Sequence, residues 1–152
     1  MKPALTINPL DGSIRLTGAP LALGQGTARE DVMAALEPMF RASNDFGSGY
    51  EWLSFHEATL GGQPCVFTLG FRLGKLEDAQ FSVTLAGAGM EEGWPTRQAI
   101  EQELAFMREA LSAQLGVKLG KQDACFRWGR VWSTFDPKGF QASTGLRYEA
   151  GV

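Results

Sequence analysis

Residues 64–73 read PCVFTLGFRL, and this stretch carries the clearest strand pattern in the chain. Its side chains alternate strictly between an apolar row and a mixed row. The apolar row holds Cys65, Phe67, Leu69, Phe71 and Leu73. Alternation with a period of two is typical of a strand that has one face in a core and the other face open. We therefore predict a half-buried strand at the centre of the fold.

Two further strand-like segments flank this one. YEWLSFHEAT at 50–59 lies before it, and KLEDAQFSVTL at 75–85 lies after it. Gly61-Gly62 and Gly74-Lys75 separate the segments. Because glycine-containing pairs between alternating segments indicate tight turns, three antiparallel strands in sequence order follow from the pattern.

A first helix is predicted over about residues 28–37, where apolar side chains recur at helical spacing. Thr27 and Glu30 have the spacing of a capping box at its start. Pro38 should stop or kink the helix, because proline lacks the backbone donor that a helix needs. The polar, glycine-bearing segment 41–49 is then predicted to be a loop.

A second, longer helix is predicted between Thr96, a capping residue, and Gly116, which suits a helix end. It would hold about 19 residues and span nearly 30 Å, enough to cross a whole sheet. The small residues of segment 86–93 indicate a flexible connection before it.

Hairpins are predicted at both ends of the sequence. Residues 5–7 and 14–16 alternate around a turn-rich segment, and two aromatic-rich strands surround residues 135–139. In the second hairpin, Pro137 suits a turn and Gly139 suits the left-handed position after it. In the strand at 124–134, Arg130 shares a row with aromatic side chains, so either that row is exposed or a bulge near Gly129 redirects Arg130.

The predicted order is ββ-α-βββ-α-ββ, which is a single α+β domain over residues 1–152. Two helices cannot cover both faces of a seven-stranded sheet. We therefore expect an antiparallel sheet with both helices on one face, and a second face that is free to bind something.

Composition and charge limit the functional classes. The 152 residues carry a formal net charge of −3 and are 44% hydrophobic. Nucleic-acid binding is disfavoured, because phosphate contacts usually require a surplus of Lys and Arg. Neither a signal peptide nor a transmembrane segment is evident, so we expect a cytoplasmic protein without a membrane partner. Cys65 and Cys125 are expected to be reduced and buried.

No catalytic or metal-binding constellation is evident. His56 is the only histidine, and one histidine with two isolated cysteines cannot supply a four-ligand zinc site. Carboxylate pairs such as Glu77-Asp78 are adjacent in sequence, so they diverge in space and are expected to be solvated. Gly24 and Gly26 precede a helix without the Lys-Ser/Thr of a phosphate loop. We therefore expect no cofactor, no metal and no enzymatic activity.

Residues 23–32, LGQGTAREDV, resemble the Leu-Gly-x-x-Thr-x-x-Glu-Val entry to the first helix of small bacterial repeat domains. These domains are the SmpA/OmlA outer-membrane assembly lipoproteins and the β-lactamase-inhibitor-protein fold group. The resemblance implies a helix–hairpin unit with a concave sheet that binds other proteins. An extra residue separates Glu30 from Val32, and no lipobox cysteine is present. The periplasmic role of that group therefore does not transfer.

The closing segment 126–139, with its pattern Phe-x-Trp-Gly-x-Val-x-Ser-x-x-Asp-x-Lys-Gly, resembles small bacterial proteins found as cytoplasmic immunity partners of toxins. The resemblance implies a non-enzymatic module that binds a toxin or secreted effector. By strand parity, five side chains are expected to line the binding face. They are Trp52, His56, Arg72, Arg127 and Arg147.

Two alternatives stay open from the sequence. A type III secretion chaperone has similar size, acidity and element order, and would be a dimer that captures an extended segment. The other alternative is a small-ligand binder or unusual enzyme that uses His56, which would require a closed, mostly apolar pocket around that side chain.

Overall fold

The computed structural model describes residues 2–86, 90–91 and 94–149. The helices are α1 (Arg29–Leu36), followed by a 3₁₀ turn (Glu37–Met39), and α2 (Arg97–Leu115). The strands are β1 (Leu5–Ile7), β2 (Ile14–Leu16), β3 (Phe40–Asp45), β4 (Tyr50–Leu60), β5 (Gln63–Arg72), β6 (Lys75–Val83), β7 (Met90–Glu91), β8 (Trp94–Pro95), β9 (Ala124–Phe126), β10 (Gly129–Asp136) and β11 (Gln141–Tyr148).

The main sheet has seven antiparallel strands in the order β3-β4-β5-β6-β11-β10-β9. Both helices pack on one of its faces, which confirms the predicted α+β class. Val32 and Leu36 of α1 and Met107 and Leu111 of α2 share one hydrophobic core with the inward row of the sheet. In that row, the rings of Phe55 on β4 and Phe67 on β5 stack with their centroids 5.2 Å apart.

The strands that form the main sheet differ from those predicted. The opening hairpin exists, but β1 and β2 form a separate two-stranded sheet whose apolar side chains enter the core. The predicted loop at 41–49 is wrong, because Phe40–Asp45 forms the edge strand β3. From Arg41 onward its side chains are exposed, and it is held by backbone pairing to β4. Hydrophobic periodicity carries no signal for such a strand.

The predicted caps are correct for α2 and wrong for α1. Thr96 Oγ1 accepts a hydrogen bond from the Ala99 amide at 3.1 Å, and Gly116 ends α2 in the left-handed conformation, as predicted. The capping box at α1 is wrong: its N-cap is Ala28, which makes no side-chain cap. Thr27 Oγ1 accepts from the Gly24 amide instead, at 2.9 Å. The Thr27 hydroxyl therefore stabilises the preceding turn.

The turn of the closing hairpin forms as predicted, but its left-handed residue differs from the predicted one. Asp136 Oδ1 accepts from the Lys138 amide at 3.0 Å, so the predicted turn forms. The left-handed residue, however, is Phe140 with φ 47°, not Gly139. Most of the predicted connection at 86–93 lies outside the described residues; in the described part, β7 pairs with β8.

Trp128 ties the closing strands to the opening hairpin. Its Nε1 donates to the Pro9 carbonyl at 2.9 Å, and its ring lies so close to Gly12 that a Cβ there would collide with it. Tyr148 Oη donates to the Gly12 carbonyl at 2.6 Å. With φ 73°, Gly12 also adopts a backbone conformation that favours glycine. The two ends of the described chain therefore share one packed corner.

Polar side chains of α2 bind backbone groups of β1 and β10 and a serine side chain of β6. Gln114 Oε1 accepts from the Ile7 amide of β1 at 2.8 Å, and Arg108 Nε donates to the Ser133 carbonyl of β10 at 2.9 Å. Glu103 Oε2 accepts from Ser82 Oγ of β6 at 3.2 Å. Because unpaired strand edges invite pairing with other chains, α2 protects edges as well as filling the core.

Candidate protein-binding face

The face of the sheet opposite α1 and α2 carries the candidate site, and we call it the open face. One row of residues crosses this face from β4 to β10, each residue paired with the next on the adjacent strand. In this row Trp52 pairs with Gly70, Gly70 with Asp78, Asp78 with Arg147 and Arg147 with Arg130. Side chains at alternate positions point to the same face, so this row is the opposite of the buried one.

Five side chains of the open face interact at the centre of the strand order, close to one end of the strands, and we call them the central network. Tyr50 Oη donates to Asp78 Oδ2 at 2.7 Å. Arg147 bridges two carboxylates, with Nη2 3.3 Å from Glu77 Oε1 and Nη1 3.7 Å from Asp78 Oδ2. Arg72 Nε reaches the same Glu77 oxygen at 3.3 Å. The network therefore joins strands β4, β5, β6 and β11.

Gly70 provides the space for this network. A Cβ at Gly70 would collide with Asp78 Oδ1 and would lie 2.6 Å from Tyr50 Oη. Asp78 is only 6% exposed, and its Oδ1 is buried without a hydrogen-bond partner among the described residues. A glycine inside a strand often marks such a close approach.

Burial has the largest effect on the pKa values of Asp78 and Tyr50. It raises the pKa of the Asp78 carboxyl, against the hydrogen bond from Tyr50 and the charge of Arg147, which lower it. Burial also raises the pKa of Tyr50, and the hydrogen bond to Asp78 and its charge add to that rise. Tyr50 is therefore a neutral hydrogen-bond donor at physiological pH.

Aromatic side chains flank the central network on both sides. The ring of Trp52 meets the ring of Tyr50 edge-on, with centroids 5.7 Å apart, and the Arg72 guanidinium lies 5.3 Å from the Tyr50 ring centre. On the far side, the Arg130 guanidinium lies 5.3 Å from the Trp132 ring centre. The open face thus presents two arginine–aromatic pairs.

The structure brings together three of the five predicted site residues. Trp52, Arg72 and Arg147 all belong to the open face around the central network. Arg127 does not lie on it: Phe126 pairs with Gly129, so Arg127 is exposed in a two-residue turn between β9 and β10. This turn, rather than a bulge, resolves the ambiguous row of residues 124–134.

His56 also lies away from the central network. It sits where the β4–β5 register shifts, beside Glu57, which has φ 67°. His56 Nδ1 is 3.8 Å from Glu57 Oε1, and the His56 side chain is 42% exposed. An exposed imidazole at a bulge gives no support to a closed pocket around it.

Two other sequence predictions need correction. Asp78 was expected to be solvated with Glu77, but it is buried in the central network of the open face. Cys65 is buried as expected, whereas Cys125 is exposed; both are free thiols. The signal that sequence reasoning missed is Gly70, a glycine in the middle of the clearest strand.

Among the described residues, no group of three His, Cys, Asp or Glu side chains is arranged to hold a metal ion. In that same part of the chain, no helix has the length and apolar character needed to cross a membrane.

Comparisons with known proteins address the fold. No protein-family model matches the sequence, and no curated protein matches it significantly. The structure is similar to one chain of a solved complex of Rhs1-CT with its cognate immunity protein RhsI1. The TM-score is 0.55 at 14% sequence identity, over 95% of this chain and 87% of that chain. The likeness shows a shared fold. The resemblance of residues 23–32 to the SmpA/OmlA group stays a prediction.

Proposed function

We propose that this chain is a non-enzymatic immunity or inhibitor protein that binds a protein toxin through its open face. The observation that carries the proposal is the central network of Tyr50, Arg72, Glu77, Asp78 and Arg147, set between Trp52 and Trp132 on the face that the helices leave free. Its place of action would be the cytoplasm of the cell that the toxin would otherwise damage.

The residue types of the open face support protein binding. Tryptophan, tyrosine and arginine dominate the energetic centres of protein interfaces. Tryptophan and tyrosine bury a large area at little entropy cost, and arginine forms several directed hydrogen bonds. Arg72 and Arg147 are already held by Glu77 in the free chain. Side chains that are ordered before binding lower the entropy cost of association.

Among the described residues, the open face is suited to binding a protein rather than to catalysing a reaction. The central network has no nucleophile paired with a base, and Tyr50 donates to a buried carboxylate. A rigid sheet can inhibit a toxin by covering the toxin's active site or substrate-binding surface. The shared fold with a chain of a toxin–immunity complex agrees with this role.

The test expresses the proteins encoded by the genes that flank the gene of this chain, one at a time, with and without this chain. One of them should kill cells only when this chain is absent, and that protein and this chain should bind when purified. Trp52→Ala and Arg72→Ala should each weaken binding about tenfold or more, with the melting temperature nearly unchanged. Arg15→Ala, an exposed arginine on β2, is the matched control and should bind normally.

Absence of binding between the two wild-type proteins would overturn the proposal. So would full binding by both open-face variants, because the toxin would then be using another surface. A variant that melts at a markedly lower temperature is replaced by Trp52→Phe or Arg72→Lys, which keep the apolar or charged character of the site.

A further inference from the structure

The main sheet has two edge strands, the three-residue β9 and the longer β3, and the outer edge of β3 is free. Within the described residues, β3 pairs with β4 alone, and every side chain from Arg41 to Asp45 is exposed. Strands with long free edges pair readily with other strands unless something prevents it. The edges of β1 and β10 are covered by α2, as described above, but β3 has no such cover among the described elements.

The backbone of β3 presents its hydrogen-bonding groups outward at Ser43 and Asp45. The Phe46 amide donates to the Tyr50 carbonyl at 3.1 Å, so position 46 faces β4. Hydrogen bonding alternates along an antiparallel strand. Position 44 therefore also faces β4, whereas Ser43 and Asp45 direct their N–H and C=O groups away from the sheet. Arg41 is the extra residue at the register shift between Phe40 and Ala42, so the alternation assigns outward backbone groups to Ser43 and Asp45 and not to Arg41.

Both charged side chains of this edge lack an ionic partner in the described part of the chain. Neither Arg41 nor Asp45 forms an ion pair there. Asp45 lies directly across from another acid, Glu51 on β4. Arg29 pairs with Glu51 at 2.6 Å, and its charge also acts on Asp45. One arginine between two acids leaves a net negative charge, so a further positive charge beside Asp45 would be favourable.

The sequence of the edge is complementary to itself. If a second β3 runs antiparallel about a two-fold axis at Ser43, each Ser43 faces the partner's Ser43. Arg41 then faces the partner's Asp45, and Asp45 faces the partner's Arg41. The two Ser43 residues can exchange backbone hydrogen bonds, and the Arg41–Asp45 pairs add attraction between their exposed side-chain charges. Opposite charges directly across two strands are favourable.

We propose that β3 pairs with β3 of a second copy of this chain, which joins two sheets into one across a two-fold axis. The inference does not rest on the proposed function, because edge pairing leaves the open face free. Only about five residues per chain take part, less than the area of a typical stable interface. We therefore expect a reversible dimer with a dissociation constant on the order of 10 to 100 µM.

Charge exchange provides the test, with sedimentation equilibrium of the purified chain as the measurement. Arg41→Asp places two acids opposite each other, and Asp45→Arg places two arginines opposite each other. Each variant alone should dimerise at least about tenfold more weakly than wild type. An equimolar mixture of the two should restore association, because every charged pair between different chains is then opposite in sign.

Ser43 gives an independent test without a change of charge. Ser43→Pro removes the outward N–H at the centre of the interface and leaves the β3–β4 hydrogen bonds in place, so it should abolish the dimer. Ser43→Ala keeps that N–H and should dimerise like wild type. Asp45 Oδ1 accepts from the Gly47 amide at 2.7 Å, so Asp45→Arg could disturb the turn after β3. The Ser43 variants leave this hydrogen bond in place and test the dimer independently of that turn.

A wild-type chain that stays monomeric up to about 1 mM would overturn the proposal. A dimer that persists unchanged in both Arg41→Asp and Ser43→Pro would also overturn it, since that dimer uses another surface. Neither result depends on whether the chain binds a toxin, so the two proposals can fail separately.

Discussion

At the scale of single residues, the open face depends on a glycine that makes room for a buried acid. Gly70 has no special backbone conformation, so its role is spatial: it lets Asp78 and Tyr50 lie against the strand. Asp78 then holds Tyr50 and Arg147 in fixed positions. The cost of burying the carboxylate is visible in its raised pKa.

Gly70→Ala should therefore destabilise the fold by about 1 to 3 kcal/mol, because the new methyl group displaces Asp78 or Tyr50. Urea denaturation followed by tryptophan fluorescence measures the change. Gly24→Ala is the matched control, since a Cβ at Gly24 meets no atom within 4 Å and the backbone there is unstrained. Equal stability of both variants would contradict the spatial role of Gly70.

Asp78 should also give the stability a recognisable pH dependence. Because burial raises its pKa, the folded chain keeps a proton that the unfolded chain has already released. The stability from this group is present at low pH and is lost as pH rises through the folded-state pKa. The groups that face it are the neutral Tyr50 and the charged Arg72, Glu77 and Arg147.

Asp78→Asn removes this titration, so the loss of unfolding free energy between acidic and neutral pH should be smaller in the variant than in wild type. Urea titrations at several pH values measure it. Glu103 also has a raised pKa through burial and contributes with the same sign. Glu103→Gln is therefore a useful comparison. Identical pH profiles for wild type and Asp78→Asn would show that Asp78 titrates normally.

At the scale of elements, α2 has a second role beside covering the sheet. Its apolar stripe packs into the core, while Glu103, Arg108 and Gln114 satisfy strand groups that have no neighbouring strand to pair with. Buried or half-buried backbone groups without partners are costly. The helix thereby stabilises strands that are too short or too divergent to pair along their whole length.

Gln114→Ala should free the edge of β1. We expect a loss of about 1 kcal/mol in unfolding free energy and faster hydrogen exchange at the Ile7 amide, which loses its acceptor. Gln102→Ala on the exposed side of α2 is the control and should change neither quantity. Unchanged exchange at Ile7 in Gln114→Ala would mean that water replaces the side chain at no cost.

At the scale of the whole molecule, the opening and closing hairpins meet through Trp128. The tryptophan stacks on Phe126 with ring centroids 4.9 Å apart and packs over the β1–β2 turn at Gly12. This contact joins residues that are more than a hundred positions apart in sequence. It closes the layer that covers one face of the sheet.

Trp128→Ala should cost about 3 to 5 kcal/mol, because it removes a large buried ring and the hydrogen bond to Pro9. It should also raise hydrogen exchange in β1 and β2 more than in β4 and β5, which lie far from the cavity in the sheet order. Uniform loss of protection would indicate that the opening hairpin cannot separate from the main sheet.

Much of the fold was predictable because it rests on local patterns. Alternation identified β4, β5, β6 and the hairpins, and Thr96 and Gly116 marked α2. The sequence did not predict strand β3, because its side chains are polar and exposed and only its backbone is paired. The capping box at Thr27 failed because the hydroxyl accepts from the Gly24 amide and the helix begins after Ala28. Gly24 and Glu30 are each three residues from Thr27, so spacing alone does not choose between them.

The sequence by itself determined the fold class and the free sheet face, since periodicity and the number of helices fix which side chains are buried. It also pointed to Trp52, Arg72 and Arg147 through strand parity. Only the tertiary structure decided that Arg127 lies in a turn, that Asp78 is buried over Gly70, and that Arg41 and Asp45 share a free edge. The physical reason is register: which residues face each other across strands depends on pairings between distant segments, and one residue of shift changes every neighbour.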